Sequence, residues 1–282
     1  MPTLYVSDLD GTLLNREDRL SPYTIRVLQE IQKREDVFFS YATARSHVTA
    51  GQVTQGLTVA LPVIVYNGAF IIENGTGRVL ASCGFSREDA AAARALFAAY
   101  GLSPLVYSRQ EGKDRVSFLP QPGNRGLARY FAARKGDPRF RPVETEEELY
   151  AGDVFYFTCI LDEREAGDAL LRALGDDPRF RCTLQKELYT PEYFLELMPP
   201  KATKANAARR LKELLGCGRV VAFGDAINDL PLFAAADECY AVENAVEELK
   251  AAATGVIPSN ARDGVARWLA DHVLGGQISQ EV

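Results

Sequence analysis

The stretch Leu4-Tyr5-Val6-Ser7-Asp8-Leu9-Asp10-Gly11-Thr12-Leu13-Leu14 decides how the rest of the chain is read. A short apolar run ending at a glycine turn is a buried-strand pattern. It delivers two carboxylates, Asp8 and Asp10, to the strand's C-terminal end, where open α/β sheets bind their ligands. Side chains alternate along a strand, so both carboxylates face one way only while the pair keeps strand geometry. Two like charges this close are unfavourable unless a cation lies between them or one carboxyl keeps its proton. Both solutions are useful chemically. A hard divalent ion takes oxygen ligands, and a carboxylate not committed to a metal is a nucleophile. Gly11 permits a sharp turn whose neighbouring N–H groups can face an anion. Asp, Gly and Thr also favour ordinary turns, so the motif in isolation is equally a plain exit from a strand.

Working outward, Ser21-Pro22 has the form of a helix start, with serine as cap and proline at the first helical position. Ile25, Leu28 and Ile31 follow at helical spacing. Val37 to Ala42 reads as a second buried strand leading into Thr43-Ala44-Arg45-Ser46, and Pro62 to Tyr66 as a third ending at Asn67-Gly68. Residues 69–73 and 78–82 flank Asn74-Gly75-Thr76-Gly77, a hairpin signal. Strand–helix alternation to this point argues for a doubly wound parallel sheet. The pattern then changes to mixed helices and meander-like strands, which suggests an inserted α+β domain. The parallel pattern resumes with a helix capped by Thr203, the apolar strand Arg219 to Phe223, and Gly224-Asp225-Ala226-Ile227-Asn228-Asp229 at its end. The predicted fold class is α/β: a doubly wound, Rossmann-like core over 1–83 and 191–282 with an α+β domain over 84–190.

Asp8/Asp10, Thr43/Arg45, Lys204 and Asp225/Asn228/Asp229 therefore follow or flank core elements. If the first, second and last sit on neighbouring parallel strands, their groups converge at one sheet edge. Asp225 would complete a hard-ion site that Asp8 and Asp10 leave sparse, with Asn228 and Asp229 orienting it or Asp229 ligating directly. Each residue also has a plainer reading. Thr43 fits a turn hydroxyl bonded to backbone, Asp229 a helix cap or first-turn acid, and Arg45 a surface ion pair. Lys204 falls in a first helical turn, where the dipole disfavours a cation unless an anion is near; Lys201 is its rival three residues earlier.

The 282 residues suit two domains. Their 47% hydrophobic and 25% charged content is that of a globular chain, and the net charge of −6 argues against nucleic acid. Five scattered cysteines without a C-x-x-C pair read as reduced, mostly buried residues rather than a disulfide framework or zinc site. There is no signal-peptide pattern and no apolar run of about 18 residues, so the expectation is a cytoplasmic protein without membrane partners.

As an ordered set these motifs resemble those of the haloacid dehalogenase (HAD) superfamily phosphatases. Asp8-Leu9-Asp10-Gly11-Thr12-Leu13-Leu14 is similar to the first signature, Ala42-Thr43 with Arg45 to the second, Lys204 to the third, and Gly224 to Asp229 to the fourth. Their order and spacing resemble the Cof-type subgroup with a large (type IIB) cap, as do Asn67-Gly68-Ala69 and Asn260 to Val265. The resemblance implies a Mg²⁺-dependent phosphatase acting on a small phosphorylated metabolite, a sugar phosphate or similar. It makes Asp8 the nucleophile that forms an aspartyl-phosphate and Asp10 the acid/base. Asp8, the backbone carbonyl of Asp10, and Asp225 would hold Mg²⁺, while Thr43 and Lys204 would bind the phosphoryl group. Asn228 and Asp229 would support the metal or Lys204, and Gly11, Thr12, Ala44 and Arg45 join Asn228 as candidate substrate contacts.

The chain departs from that pattern in carrying Ala44 where Gly is usual and Glu243 before Asn244 where Gly is usual. A phosphomutase of the same superfamily is the alternative, and a non-catalytic metabolite-binding protein a further one, although none of the three key aspartates is lost. Arg115, Arg181, Lys186 and Tyr189 are candidate contacts from the cap. Oligomeric state is not readable from sequence.

Overall fold

The structure is a computed structural model describing residues 1–57, 62–186 and 191–276. In chain order the strands are β1 (Thr3–Ser7), β2 (Val37–Tyr41), β3 (Pro62–Val65), β4 (Phe70–Glu73), β5 (Val79–Ser82), β6 (Leu105–Gln110) and β7 (Lys113–Phe118). They continue with β8 (Phe140–Pro142), β9 (Asp153–Leu161), β10 (Arg181–Lys186), β11 (Tyr193–Met198), β12 (Arg219–Gly224), β13 (Glu238–Val242) and β14 (Gly255–Ile257). The helices are α1 (Pro22–Ile31), α2 (His47–Val53), α3 (Arg87–Ala99), α4 (Arg125–Ala133), α5 (Glu146–Leu149) and α6 (Glu165–Leu174). After them come α7 (Lys204–Leu214), α8 (Leu230–Ala235), α9 (Glu247–Ala252) and α10 (Gly264–His272).

The chain divides into two compact units, Met1–Ser82 with Ala202 onward, and Cys83–Lys201. In the first, the order β14-β13-β12-β1-β2 makes a parallel sheet. Its central strands are apolar on both faces, as parallel strands covered by helices must be: Leu4, Val6, Val221, Ala222 and Phe223 are all buried. Helices α1 and α10 pack together, while α7, α8 and α9 form a second group along β12 and β13. Trp268 of α10 meets Tyr240 at 4.6 Å and Phe223 at 5.3 Å between ring centroids. Serine caps act where the sequence placed them. Ser21 accepts from the N–H of Thr24, Ser46 from Thr49, and Thr203 does the same for Asn206.

The third strand does not extend the parallel sheet. β3 pairs antiparallel with β4, and β4 with β5, in a small sheet of its own that meets the main one through a parallel bridge between Ala42 and Ile64. The turn at Tyr66–Gly68 folds β4 straight back onto β3, and the hairpin at 74–77 then adds β5 to β4.

The inserted unit is a mixed sheet of order β10-β11-β9-β6-β7-β8, antiparallel except where β8 pairs with β7. Its core gathers Phe97, Val106, Phe157, Leu170, Leu195 and Leu197. Here the expected boundary is corrected. Residues 193–198, assigned from sequence to the returning core, form β11 and pair with β9 and β10, so the unit runs to Lys201 rather than 190. β11 is amphipathic enough to suit either sheet, and its partners lie too far away in sequence to be read locally. Arg181 and Lys186 belong to β10; Tyr189 lies outside the described residues. Among the described residues no helix is long and apolar enough to cross a membrane, and the five cysteines carry free thiols.

Candidate active site

Strands β12, β1 and β2 are neighbours, so the ends carrying Asp225, Asp8 and Thr43 converge at one sheet edge. Asp8 keeps one foot in the ladder, its N–H donating to the carbonyl of Phe223 (3.0 Å). Beyond it the chain turns. Gly11 adopts φ +77°, and the N–H of Leu14 closes the turn on the carbonyl of Leu9 (2.9 Å). A Cβ at Gly11 would lie 2.9 Å from Cγ of Asp225, so both conformation and space exclude a side chain there.

Because strand geometry ends at Asp8, the two carboxylates diverge. Asp10 turns outward, its side chain 45% exposed, and is gripped in fork geometry by Arg45, with Nε 2.9 Å from Oδ2 and Nη2 2.5 Å from Oδ1. Asp8 is 7% exposed and faces inward. There the Nζ of Lys204 donates to Asp8 Oδ1 and, at 2.7 Å, to Asp229 Oδ1. Lys204 is 4% exposed and opens α7. A cation in a first helical turn is unfavourable, and two buried carboxylates supply the compensation.

Asp225 accepts from the hydroxyl of Thr12 (2.9 Å). Asp229, fully buried, commits Oδ1 to Lys204 and Oδ2 to the backbone N–H groups of Asp225 (3.1 Å) and Ala226 (3.3 Å). One oxygen from each of Asp8, Asp225 and Asp229 lies within 4.8 Å of the others. Burial pushes the Asp8 carboxyl up to about 8, with Asp229 and Asp225 adding to it and Lys204 opposing. Burial likewise raises Asp225 to about 6, against the Thr12 hydrogen bond. Burial alone would lower Lys204, but Asp8 and Asp229 override it and hold the ammonium above its ordinary value. Three carboxylates share one ammonium, so the cluster is short of positive charge. Its donors are all oxygens, and a divalent ion such as Mg²⁺ fits that deficit.

The remaining sequence candidates sort themselves by contact. Thr43 is fully buried, and its hydroxyl accepts from the Arg45 N–H (3.1 Å), the plain turn role read from sequence. Ala44 is exposed, and so is Asn228 on the short turn Ile227–Asp229. The carboxylate of Asp10 stands outside the acidic cluster, which leaves its backbone carbonyl as the route by which it could serve a metal.

The structure adds residues that the site list lacked. Gly68, at φ +99°, has no room for a Cβ beside the Thr203 carbonyl and the Lys204 N–H. It follows Tyr66 and Asn67, both also left-handed (φ +51° and +54°), an unusual conformation for a bulky tyrosine. This turn seats the start of α7 and thereby Lys204; the Asn67-Gly68 dipeptide was its signal in the sequence. Gly68→Ala is expected to lower turnover by about 10²-fold, because roughly 1 Å of misplacement at a catalytic group costs that much. Steady-state kinetics beside a thermal melt checks it. Asn244 and Asn260 bond the backbone of the Gly11–Leu14 loop; the sequence marked both only through the resemblance, without a role.

Comparison with known proteins agrees with this geometry. A family profile of haloacid dehalogenase-like hydrolases matches residues 5–269. The chain is 27% identical to the 5-amino-6-(5-phospho-D-ribitylamino)uracil phosphatase YwtE of Bacillus subtilis, covering 96% of this chain and 98% of that protein. It is 28% identical to a phosphoglycolate phosphatase of Halorubrum lacusprofundi, covering 94% of each. A solved structure from Thermotoga maritima superposes with a TM-score of 0.75 at 25% identity, covering 100% of this chain and 99% of that one. With the ordered acidic motifs and the inserted α+β unit, these matches place the chain in the haloacid dehalogenase-like hydrolases, among their Cof-type phosphatases.

Proposed function

We propose that the protein is a Mg²⁺-dependent phosphomonoester hydrolase acting on a small phosphorylated metabolite, a sugar phosphate or a sugar-alcohol phosphate, through an aspartyl-phosphate on Asp8. The observation that carries this reading is the buried Asp8–Lys204–Asp229 chain beside Asp225 at the converging ends of β1 and β12. In the first step a carboxylate oxygen of Asp8 attacks phosphorus, and the bond from phosphorus to the leaving oxygen breaks. Asp10 delivers a proton to that oxygen. In the second step Asp10 takes a proton from water, whose oxygen attacks phosphorus and releases inorganic phosphate from Asp8.

Lys204 draws Asp8 toward its ionised form against the opposing effect of burial and adds a donor to the phosphoryl oxygens. The Thr43 hydroxyl accepts from the Arg45 N–H, so its own proton remains for an anion. Arg45 holds Asp10 at the mouth of the loop until a substrate engages it. Asp8, Asp225 and the carbonyl of Asp10 would hold Mg²⁺, with Asp229 orienting the set through its bonds to Lys204 and the Asp225 N–H. When bound, the ion supplies positive charge that offsets phosphoryl repulsion of the carboxylates. The sugar-alcohol option follows from the ribityl phosphate in the name of the B. subtilis relative.

A panel of phosphorylated sugars, sugar alcohols, nucleotides and short acids, scored for released phosphate with Mg²⁺ and with a chelator, tests the proposal. Turnover with Mg²⁺ and its loss on chelation are expected; release indifferent to chelation contradicts the metal assignment. Silence across the panel from folded protein favours the phosphomutase.

Metal binding should also depend on pH. Raised carboxyl values mean that protonation of Asp8 and Asp225 stabilises the fold below the ordinary carboxylate range. That contribution is lost as pH rises through about 6 for Asp225 and about 8 for Asp8. The rise in thermal midpoint on adding Mg²⁺ is therefore expected to grow between about pH 5 and pH 8. A constant or shrinking rise in differential scanning calorimetry contradicts it.

A further inference from the structure

We propose that Asn244 is a positioning residue for the nucleophile loop, working together with Asn260. The inference rests on the catalytic reading of Asp8 given above. Asn244 follows β13 and Asn260 follows β14, so both sit on loops that the chain reaches more than two hundred residues after the nucleophile. The Nδ2 of Asn244 donates to the carbonyl of Gly11 (2.8 Å), and its Oδ1 accepts from the N–H of Asn260 (3.0 Å). A carbonyl only accepts and a backbone N–H only donates, so one orientation of the amide satisfies both contacts. Asn260 in turn donates through Nδ2 to the carbonyl of Leu14 (2.9 Å).

The two asparagines thus hold both ends of the segment Gly11–Leu14 and tie them to each other. The loop after β13 is also joined to the end of β12, where the N–H of Val246 donates to the carbonyl of Asp225 (2.9 Å), and the Asp225 carboxylate in turn accepts from the Thr12 hydroxyl of the nucleophile loop. Glu243, the departure noted in the sequence, forms an ion pair with Arg262 and links the β13 and β14 loops outside the asparagines.

The consequence is directional. The peptide between Gly11 and Thr12 is planar and trans, so its N–H points opposite to its C=O. With the Gly11 carbonyl aimed at Asn244, the Thr12 N–H is aimed away from it. That fixes the orientation of a backbone donor two residues along the loop from the acid/base Asp10. Gly11, lacking a Cβ, allows this peptide either orientation, and the bond from Asn244 selects one.

Asn244→Asp separates this role from general support. It keeps the shape and the acceptor for Asn260 but turns an oxygen toward the Gly11 carbonyl. Hydrogen exchange over residues 8–14 is the primary readout and needs no substrate. In this variant it is expected to speed up by at least about fivefold, with β1 and β12 unchanged. The kcat for a generic aryl phosphate with Mg²⁺ should fall by about tenfold with KM within about threefold. Asn260→Ala should shift exchange over the same residues. Unchanged exchange over 8–14 in Asn244→Asp overturns the proposal, and so does accelerated exchange spread through β1 and β12 with a lowered thermal midpoint, which marks simple destabilisation. Asp8→Asn measured in parallel isolates the underlying reading. If Asp8→Asn retains turnover, that reading fails, while the exchange data still decide whether Asn244 orders the loop.

Discussion

Asp8→Asn is expected to abolish phosphate release, with turnover falling by at least about a thousandfold, since an amide cannot form the acyl phosphate and covalent catalysis is lost outright. The substitution is nearly isosteric and removes one of three carboxylates crowded around a single ammonium. With burial already holding the Asp8 carboxyl up at about 8, a neutral side chain there carries little folding penalty at neutral pH. The thermal midpoint without Mg²⁺ should therefore not drop, and the inactivity cannot be assigned to unfolding. Phosphate release and calorimetry on the same preparation make the test. Retention of more than about a tenth of the activity would exclude Asp8 as nucleophile.

Lys204→Ala should do two things at once. The buried ammonium bridges Asp8 and Asp229, so its removal leaves two buried carboxylates without their cation. Breaking a buried pair from one side costs about 3–5 kcal/mol, and the thermal midpoint is expected to fall accordingly at neutral pH. Turnover should fall by at least about 10²-fold through loss of a preorganised charge at the reacting group. Lys201→Ala is the comparison. Lys201 is exposed and lies in the inserted unit, and its removal is expected to leave stability and turnover within about twofold. The reverse ranking would move the third motif to Lys201.

The sequence identifies the chemistry because its carriers are local. Asp8, Thr43 and Asp225 each terminate an apolar strand, and parallel strands release their polar residues at the same sheet edge. In the sequence Lys204 is distinguished only by its awkward place in a helix dipole, and the structure accounts for that place by burying its ammonium between Asp8 and Asp229. The structure gives Thr43 the turn-hydroxyl contact and Arg45 the ion pair that the sequence suggests, and the outward-turned carboxylate that Arg45 holds is Asp10 of the nucleophile motif. Alternation along a strand could not reveal that pairing, because the strand ends at Ser7 and does not continue through Asp10, as it would have to for Asp8 and Asp10 to share a face.

Other features depend on contacts between residues far apart in sequence. β11 looks like any half-apolar strand until its partners β9 and β10 are known, and the domain boundary moved by about a dozen residues for that reason. β3 pairs with β4 in a separate sheet because the turn at Tyr66–Gly68 folds β4 back against it. Asn244 and Asn260 gain meaning only when loops after β13 and β14 close on a turn near the N-terminus. The sequence by itself determined the fold class, the order of the motifs and the acidic residues of the site, since these follow from hydrophobic periodicity and the chemistry of side chains at strand ends. Tertiary structure alone decided which carboxylate faces inward, which lysine is buried between two of them, and what holds the nucleophile loop in place. Those outcomes turn on burial and on hydrogen bonds whose partners meet only after the chain has folded.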